Sequence, residues 1–241
     1  MARNQTLLNL ITRAYNLAGI PVPTSETVGY VILPEMRRWV NEGIALWYRS
    51  IIRASPDWVE SSTTVNVTPG TASYPMPSDF WMPRSVSIPY NGRDIPMRRY
   101  MSSERYQYQV SAQIPDWRYR IVDSGIRVSG TVQFEIRPTP DQAATVTVFY
   151  IPNPPLLATD GTDDAIELDG VAGWDEAVVL HATIKVKEKQ EEDVADLKAD
   201  LSAILNEVLL DATDRDEGEP KRVRDVELDV LDADFYWRYQ R

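Results

Sequence analysis

The chain reads as an α+β protein. Its expected parts are a helical bundle of two N-terminal helices plus a C-terminal helical hairpin, an inserted antiparallel β domain, and an extended C-terminal arm. Three observations carry this reading. Apolar residues recur at helical spacing up to about residue 54, short alternating runs cut by proline and glycine fill the middle, and helical spacing returns near residue 174. The implied division is 1–60 for the N-terminal helices, 61–158 for the β insertion, 159–212 for a loop and the hairpin, and 213–241 for the arm.

Leu7, Leu10, Ile11, Ala14, Leu17 and Ala18 form one helical stripe, stopped by Gly19 with Pro21 and Pro23 beyond it. A second helix is predicted from Pro34, which suits a first helical position, through Met36, Val40, Ile44, Trp47 and Ile51 to about Ala54. Both are amphipathic and need a partner. From Ser62 to about Pro155, Thr64–Val67, Arg84–Ile88, Tyr119–Val122, Ile126–Val128, Val132–Ile136 and Val146–Tyr150 read as strands, with Asp123-Ser124-Gly125 as a hairpin turn. Segment 100–115 fits a short helix or a loop. After a loop from Pro152 to Gly173, Asp175 and Glu176 sit where a helix N-terminus favours negative charge, and Val178, His181, Ala182 and Ile184 mark an inner stripe. The stripe lapses at Lys189–Asp193 and resumes at Val194, Leu197, Leu201, Ile204, Leu205 and Val208. This predicts a hairpin turning near 190–193, with one long helix as the alternative.

Composition narrows the function. At 43% hydrophobic and 25% charged, the 241 residues are ordinary for a soluble globular protein, and the absence of cysteine removes disulfides, thiolate metal sites and thiol nucleophiles. The apolar stretch Leu7–Leu17 is broken by Asn9, Thr12, Arg13 and Asn16, so neither a signal peptide nor a membrane span is expected, and the protein reads as made or assembled in the cytoplasm. The net charge of -11 is uneven: residues 84–137 hold nine Arg against five acids, whereas 160–234 hold twenty-four acids against eight bases. A sequence-specific DNA reader would concentrate basic charge instead.

No catalytic, cofactor or metal residues are assigned. His181 is the only histidine and lies in a helical stripe, where a packed or interface role outweighs metal or triad chemistry. No phosphate-cradling glycine loop occurs. The acid pairs Asp163/Asp164, Glu191/Glu192 and Asp214/Asp216 fit solvated loops better than a glycosidase or a Ca²⁺ or Mg²⁺ site. Tyr74, Phe80, Trp81, Tyr90, Trp117, Tyr119, Phe149 and Tyr150 are expected as core or subunit contacts, with a carbohydrate groove as the alternative.

The arm stands apart. It passes through the charged run Asp214–Arg222 and ends on Phe235-Tyr236-Trp237-Arg238-Tyr239, followed by Arg241. A segment this charged cannot offset its ordering entropy alone, yet it ends in four aromatics, so it makes sense as a segment that folds against a partner or a neighbouring copy. Packing of Val226, Leu228, Val230 and the aromatics on their own domain is the competing reading. Phe235, Tyr236, Trp237, Arg238, Tyr239 and Arg241 are the candidate partner-binding residues.

Two N-terminal helices, then Ser73-Tyr74-Pro75-Met76-Pro77-Ser78-Asp79-Phe80 leading into Arg84–Ile88, then Arg137-Pro138-Thr139-Pro140 before the strand Thr145–Ile151, and finally a hairpin with the acidic turn Glu188–Asp193 follow one another along most of the chain. In this order they resemble the head-to-tail adaptor (connector, head completion) proteins of tailed bacteriophages. The resemblance implies a non-enzymatic virion protein at the head-tail interface, assembled in the host cytoplasm. It further implies a ring of about twelve copies beneath the portal protein, against a tail or nozzle protein. The acidic C-terminal third leads to the expectation that double-stranded DNA passes through the ring without specific binding. C-terminal extensions in this family commonly reach the portal, which would give the aromatic tail its partner. A tail-associated cell-wall hydrolase and a carbohydrate- or receptor-binding β module are the alternatives.

Overall fold

Helix formation begins with a short ladder. β1 (Gln5–Thr6) leads into α1 (Leu7–Ala18), where the Thr6 hydroxyl accepts a hydrogen bond from the Asn9 N–H at 3.2 Å, an N-cap that contributes about 1 kcal/mol. The computed structural model describes residues 5–216 except 28, 105, 108–115, 123–131, 169 and 171–172, together with the side chains of 209 and 211–216. α1 stops at Gly19 in the left-handed conformation, as its glycine and prolines predict. α2 (Leu33–Ala54) has Pro34 and Glu35 in its first turn and buries Met36, Val40, Ile44, Trp47 and Ile51 along one face.

Eight strands follow: β2 (Ser61–Val67), β3 (Ser73–Pro75), β4 (Phe80–Tyr90), β5 (Arg93–Pro96), β6 (Arg98–Arg99), β7 (Arg118–Val122), β8 (Gln133–Arg137) and β9 (Ala144–Pro152). They form two four-stranded sheets, ordered β2-β9-β4-β5 and β3-β8-β7-β6. Val65, Val86, Ile88, Val146 and Val148 of the first sheet share one apolar core with Tyr74, Trp117, Tyr119, Phe134 and Ile136 of the second side. The expected antiparallel insertion is corrected at one place: β6 pairs with β7 in parallel. β4 also runs beyond the predicted Arg84–Ile88, because Asn91 and Gly92, both at positive φ, turn it into β5. Segment 100–115 contains a short 3-10 turn at Ser102–Glu104. The expected turn at Asp123–Gly125 and strand at Ile126–Val128 lie outside the described residues.

The returning chain forms β10 (Glu167–Leu168), which pairs antiparallel with β1, and then α3 (Trp174–Lys189) and α4 (Ala195–Asp216). The two are separate helices, so the hairpin expectation holds over the single long helix. Their turn is a C-terminal cap in which the Glu192 N–H donates to the Lys187 carbonyl and the Glu191 N–H to the Glu188 carbonyl, with Glu191 itself at a φ of 61°. The four helices enclose a second apolar core, including Leu10, Ile11, Ala14, Met36, Val40, Val178, Ala182, Val186 and Leu201. A Cβ at Gly43 would lie 3.2 Å from the Val178 backbone and 3.3 Å from the His181 Cβ, so glycine lets α2 and α3 approach closely.

One buried cation ties the return loop to the helices. Arg37 on α2 is 1% exposed, and its guanidinium makes five hydrogen bonds. Nε and Nη2 donate to Asp164 at 2.8 and 2.6 Å, Nη1 and Nη2 donate to Glu26 at 2.6 and 3.0 Å, and Nη1 donates to the Thr159 carbonyl at 3.1 Å. Every N–H is thereby used, which a buried guanidinium requires. The bonds to Asp164 and then to Glu26 raise its pKa further above the ordinary arginine value. One turn on, the Asn41 amide donates to the Leu157 carbonyl at 2.8 Å and accepts from the Leu157 N–H at 3.2 Å. Gly161 sits where a Cβ would lie 2.8 Å from Arg37 Nη2, so a side chain there would displace the guanidinium.

Arg37→Met should destabilise the fold by about 3 kcal/mol, at the low end for a broken buried pair because Glu26 can rehydrate. Urea unfolding reads the loss, and adding Glu26→Gln and Asp164→Asn should recover most of it. Glu191→Gly should stabilise by about 1 kcal/mol, seen as a higher urea midpoint at unchanged slope, because it relieves a left-handed residue that carries a Cβ.

Candidate functional site

The sequence places the binding chemistry on the arm. Phe235, Tyr236, Trp237, Arg238, Tyr239 and Arg241 lie outside the described residues, and the structure shows the base from which the arm departs. α4 packs chiefly on α2 and α3, anchored by Leu201 and Val208, and two residues past Val208 the side chain of Leu210 is 67% exposed. The arm therefore starts from a helix end beyond the last buried anchor among the described side chains.

Several of the residues that carry the adaptor resemblance hold the scaffold together. The Tyr74 hydroxyl donates within reach of the Thr68 and Thr71 carbonyls, at 3.1 and 2.7 Å, and accepts from the Thr68 N–H at 3.0 Å, which pins the β2–β3 loop. Met76 is buried in the sandwich core. The Asp79 carboxylate accepts from the Tyr150 hydroxyl at 3.1 Å, and its carbonyl accepts from the Asn153 N–H at 2.6 Å. Phe80 stacks on Tyr150 with ring centroids 5.5 Å apart. Arg137 donates twice to Oε1 of buried Glu135, at 2.9 and 2.6 Å. At the end of β9 the Tyr48 hydroxyl of α2 also donates to the Pro152 carbonyl at 2.8 Å.

Three acids of these pairs, Asp163, Asp164 and Glu192, use their carboxylates in hydrogen bonds or ion pairs. Asp164 holds Arg37, and Asp163 accepts from the Ala158 N–H. Glu192 pairs with Lys187 at 2.7 Å, while Glu191 serves the helix cap. Asp214 and Asp216 belong to the last turn of α4, with side chains outside the described set. Among the described residues no cluster of three or more His, Asp or Glu is placed to hold a metal ion. No described helix is long and apolar enough to cross a membrane.

His181 is mostly buried between α2 and α3, its Nε2 3.9 Å from Glu42. Burial, followed by Lys185, lowers its pKa, so the ring is held neutral rather than poised as a cation. Tyr74, Phe80, Trp117, Tyr119 and Tyr150 fill the sandwich core, which leaves Phe149 half-buried and Trp81 and Tyr90 exposed. Trp81 stacks on Tyr48 at 6.3 Å and so belongs to the seam between helices and sheets.

What remains exposed suits contacts with macromolecules. Leu8 and Leu17 stand on the outer face of α1, and Ile166 is exposed in the return loop. On the sandwich, the edge formed by β5, Met97 and β6 carries Arg93, Arg98 and Arg99, all exposed. Arg118 pairs in register with Arg98 on one side and Arg137 on the other, so arginines line up across three strands. The sequence showed an Arg-rich middle without showing this line, because the pairing partners come from separate strands.

A comparison with curated proteins gives no significant match. The family model described as SU10 adaptor protein matches residues 5–224, which takes in both apolar cores and the return loop that joins them. By that match this chain belongs to the phage SU10 adaptor proteins, a head-to-tail adaptor family of bacteriophages.

Proposed function

We propose that the chain is a structural virion protein whose copies form a ring between the portal and the tail or nozzle protein, about twelve in number by the habit of such cyclic assemblies. The single observation that carries the reading is the family match across residues 5–224. The fold supports it, since Asp164 and Glu192 are held in ion pairs and the one histidine is packed between helices with its pKa lowered by burial. No catalytic step is assigned. The helices (1–60 and 159–212) and the sandwich (61–158) act as rigid parts, and the arm (213–241) reaches the portal.

Phe235, Tyr236, Trp237 and Tyr239 would enter apolar pockets of the portal while Arg238 and Arg241 meet acids. Anchors of this kind cost about 2 kcal/mol or more each when truncated. Double-stranded DNA passes through the ring without being held. Twenty-four acids against eight bases over residues 160–234 give a wall that repels phosphate.

Deleting residues 235–241 should lower attachment to portal-bearing heads by at least about a hundredfold. The thermal melt of the truncated protein should not change, because the described residues of both cores lie within residues 7–208. A melt lowered by many degrees would place the aromatics on the protein's own core. In gel retardation at near-physiological salt, the full-length protein should not shift duplex DNA, and a steep salt-dependent shift would reassign the arginine edge as a DNA surface.

A further inference from the structure

The arginine edge of the sandwich and the arm are complementary in a way that neither shows alone. Arg93, Arg98 and Arg99 make no ion pair among the described residues, and Arg118 and Arg120 stand beside them on β7. Arg120 donates to the Ser102 hydroxyl at 3.0 Å. Two acids, Asp94 and Asp116, share the region, so positive charge predominates. Beside this edge lies a groove of about 380 Å³ lined by Ile95, Pro96, Arg98, Asp116, Trp117 and Arg118. Among the described residues β5 and β6 are each the last strand of their sheet, and their outer backbone groups face no further strand.

The arm carries the matching pattern. Asp225-Val226-Glu227-Leu228-Asp229-Val230 alternates acid and apolar residue without a break, and residues 225–234 contain five acids and no base. In an extended strand such alternation puts the acids on one face and the apolar side chains on the other. A strand of this kind adds to an open sheet edge through backbone hydrogen bonds, with its alternate side chains giving specificity.

We propose that residues 225–230 of one copy dock on the edge Arg93–Arg99 of a second copy. Asp225, Glu227 and Asp229 supply the charge complementary to the exposed Arg93, Arg98 and Arg99, and Val226, Leu228 and Val230 supply an apolar face for the groove lined by Ile95, Pro96 and Trp117. The occupant is assigned to a neighbouring copy because α4, which bears the arm, packs chiefly on α2 and α3 rather than on the sandwich. The residues between Asp216 and Asp225 can span about 30 Å when extended. Such a contact joins two different surfaces, so repetition closes a ring if the rotation allows. It is weak singly and effective once the portal gathers the copies. The proposal rests on the ring-forming adaptor reading, and it leaves residues 235–241 free for the portal.

The chain has no cysteine, so introduced thiols report without background. Full-length protein carrying both Asp94→Cys and Leu231→Cys is treated with a short bismaleimide, at high concentration and low salt, and again on portal-bearing heads. Docking on a neighbour gives a ladder of covalent multimers. A monomer of altered mobility would show docking within one copy and overturn the proposal, as would no crosslink under both conditions. Adding Arg93→Glu, Arg98→Glu and Arg99→Glu should reduce the ladder at least about tenfold, and Asp225→Arg, Glu227→Arg and Asp229→Arg in the same chain should restore it. An undiminished ladder, or no restoration in a chain that melts normally, overturns it. Head attachment, measured separately, depends on residues 235–241, so loss of attachment with an intact ladder strikes the portal reading, and the reverse strikes this one.

Discussion

The fold depends on a single buried cation. Arg37 gathers three segments that sequence order keeps apart: the α1–α2 connection at Glu26, its own helix, and the loop at Thr159–Asp164 that returns from the sandwich. A guanidinium this far from water is tolerable only with all its N–H groups bonded, and the two carboxylates meet it as planar forks. That requirement fixes the loop to within hydrogen-bond tolerance. The loop in turn presents the Asp164 and Ile166 carbonyls to the Leu8 and Leu7 N–H groups, satisfying donors at the start of α1 that no helical partner can reach.

Around this point the molecule divides its tasks. The four helices hold the chain's two ends of the return loop together, with Arg13 of α1 on Asp175 of α3 at 2.7 Å and Lys189 at the end of α3 on Glu35 of α2 at 2.7 Å. Tyr15 is sealed in the same core, its hydroxyl donating to the Val31 carbonyl at 3.0 Å, and burial pushes its pKa up to about 12. The sandwich core is separate and apolar. Charge is left to the edges and to the arm.

The parts legible in the sequence were those with many repeats of one period. α1 and α2 each show several apolar residues at helical spacing, and the acidic break at Lys189–Asp193 marked the hairpin turn. β1 and β10 have two residues each and no period to read. β5 was missed although Asn91-Gly92 is a strong turn signal, because Pro89 ended the alternation one residue after Ile88. Nothing distinguished Arg37 from its exposed neighbour Arg38, since its partners lie in Glu26 and Asp164 and no local pattern marks burial of an arginine. Of the candidate site, the arm's aromatics could be named from composition, while the edge that gathers Arg93, Arg98 and Arg99 exists only once β5 and β6 take their places at the sheet margins.

The sandwich enters and leaves the molecule by neighbouring strands. Ser61 of β2 stands in register with Tyr150 of β9, an antiparallel pair whose Cα atoms lie about 5 Å apart. An insertion with adjoining ends makes little geometric demand on its host, because a turn of a few residues could bridge the same gap and the cost of closing a longer loop rises only slowly with length. The helices thus form a socket. β modules of other sizes and outer surfaces could be exchanged at that seam, provided they return the chain to Leu157 in reach of Asn41, so the surface offered to partners can diversify while the frame that seats it stays the same.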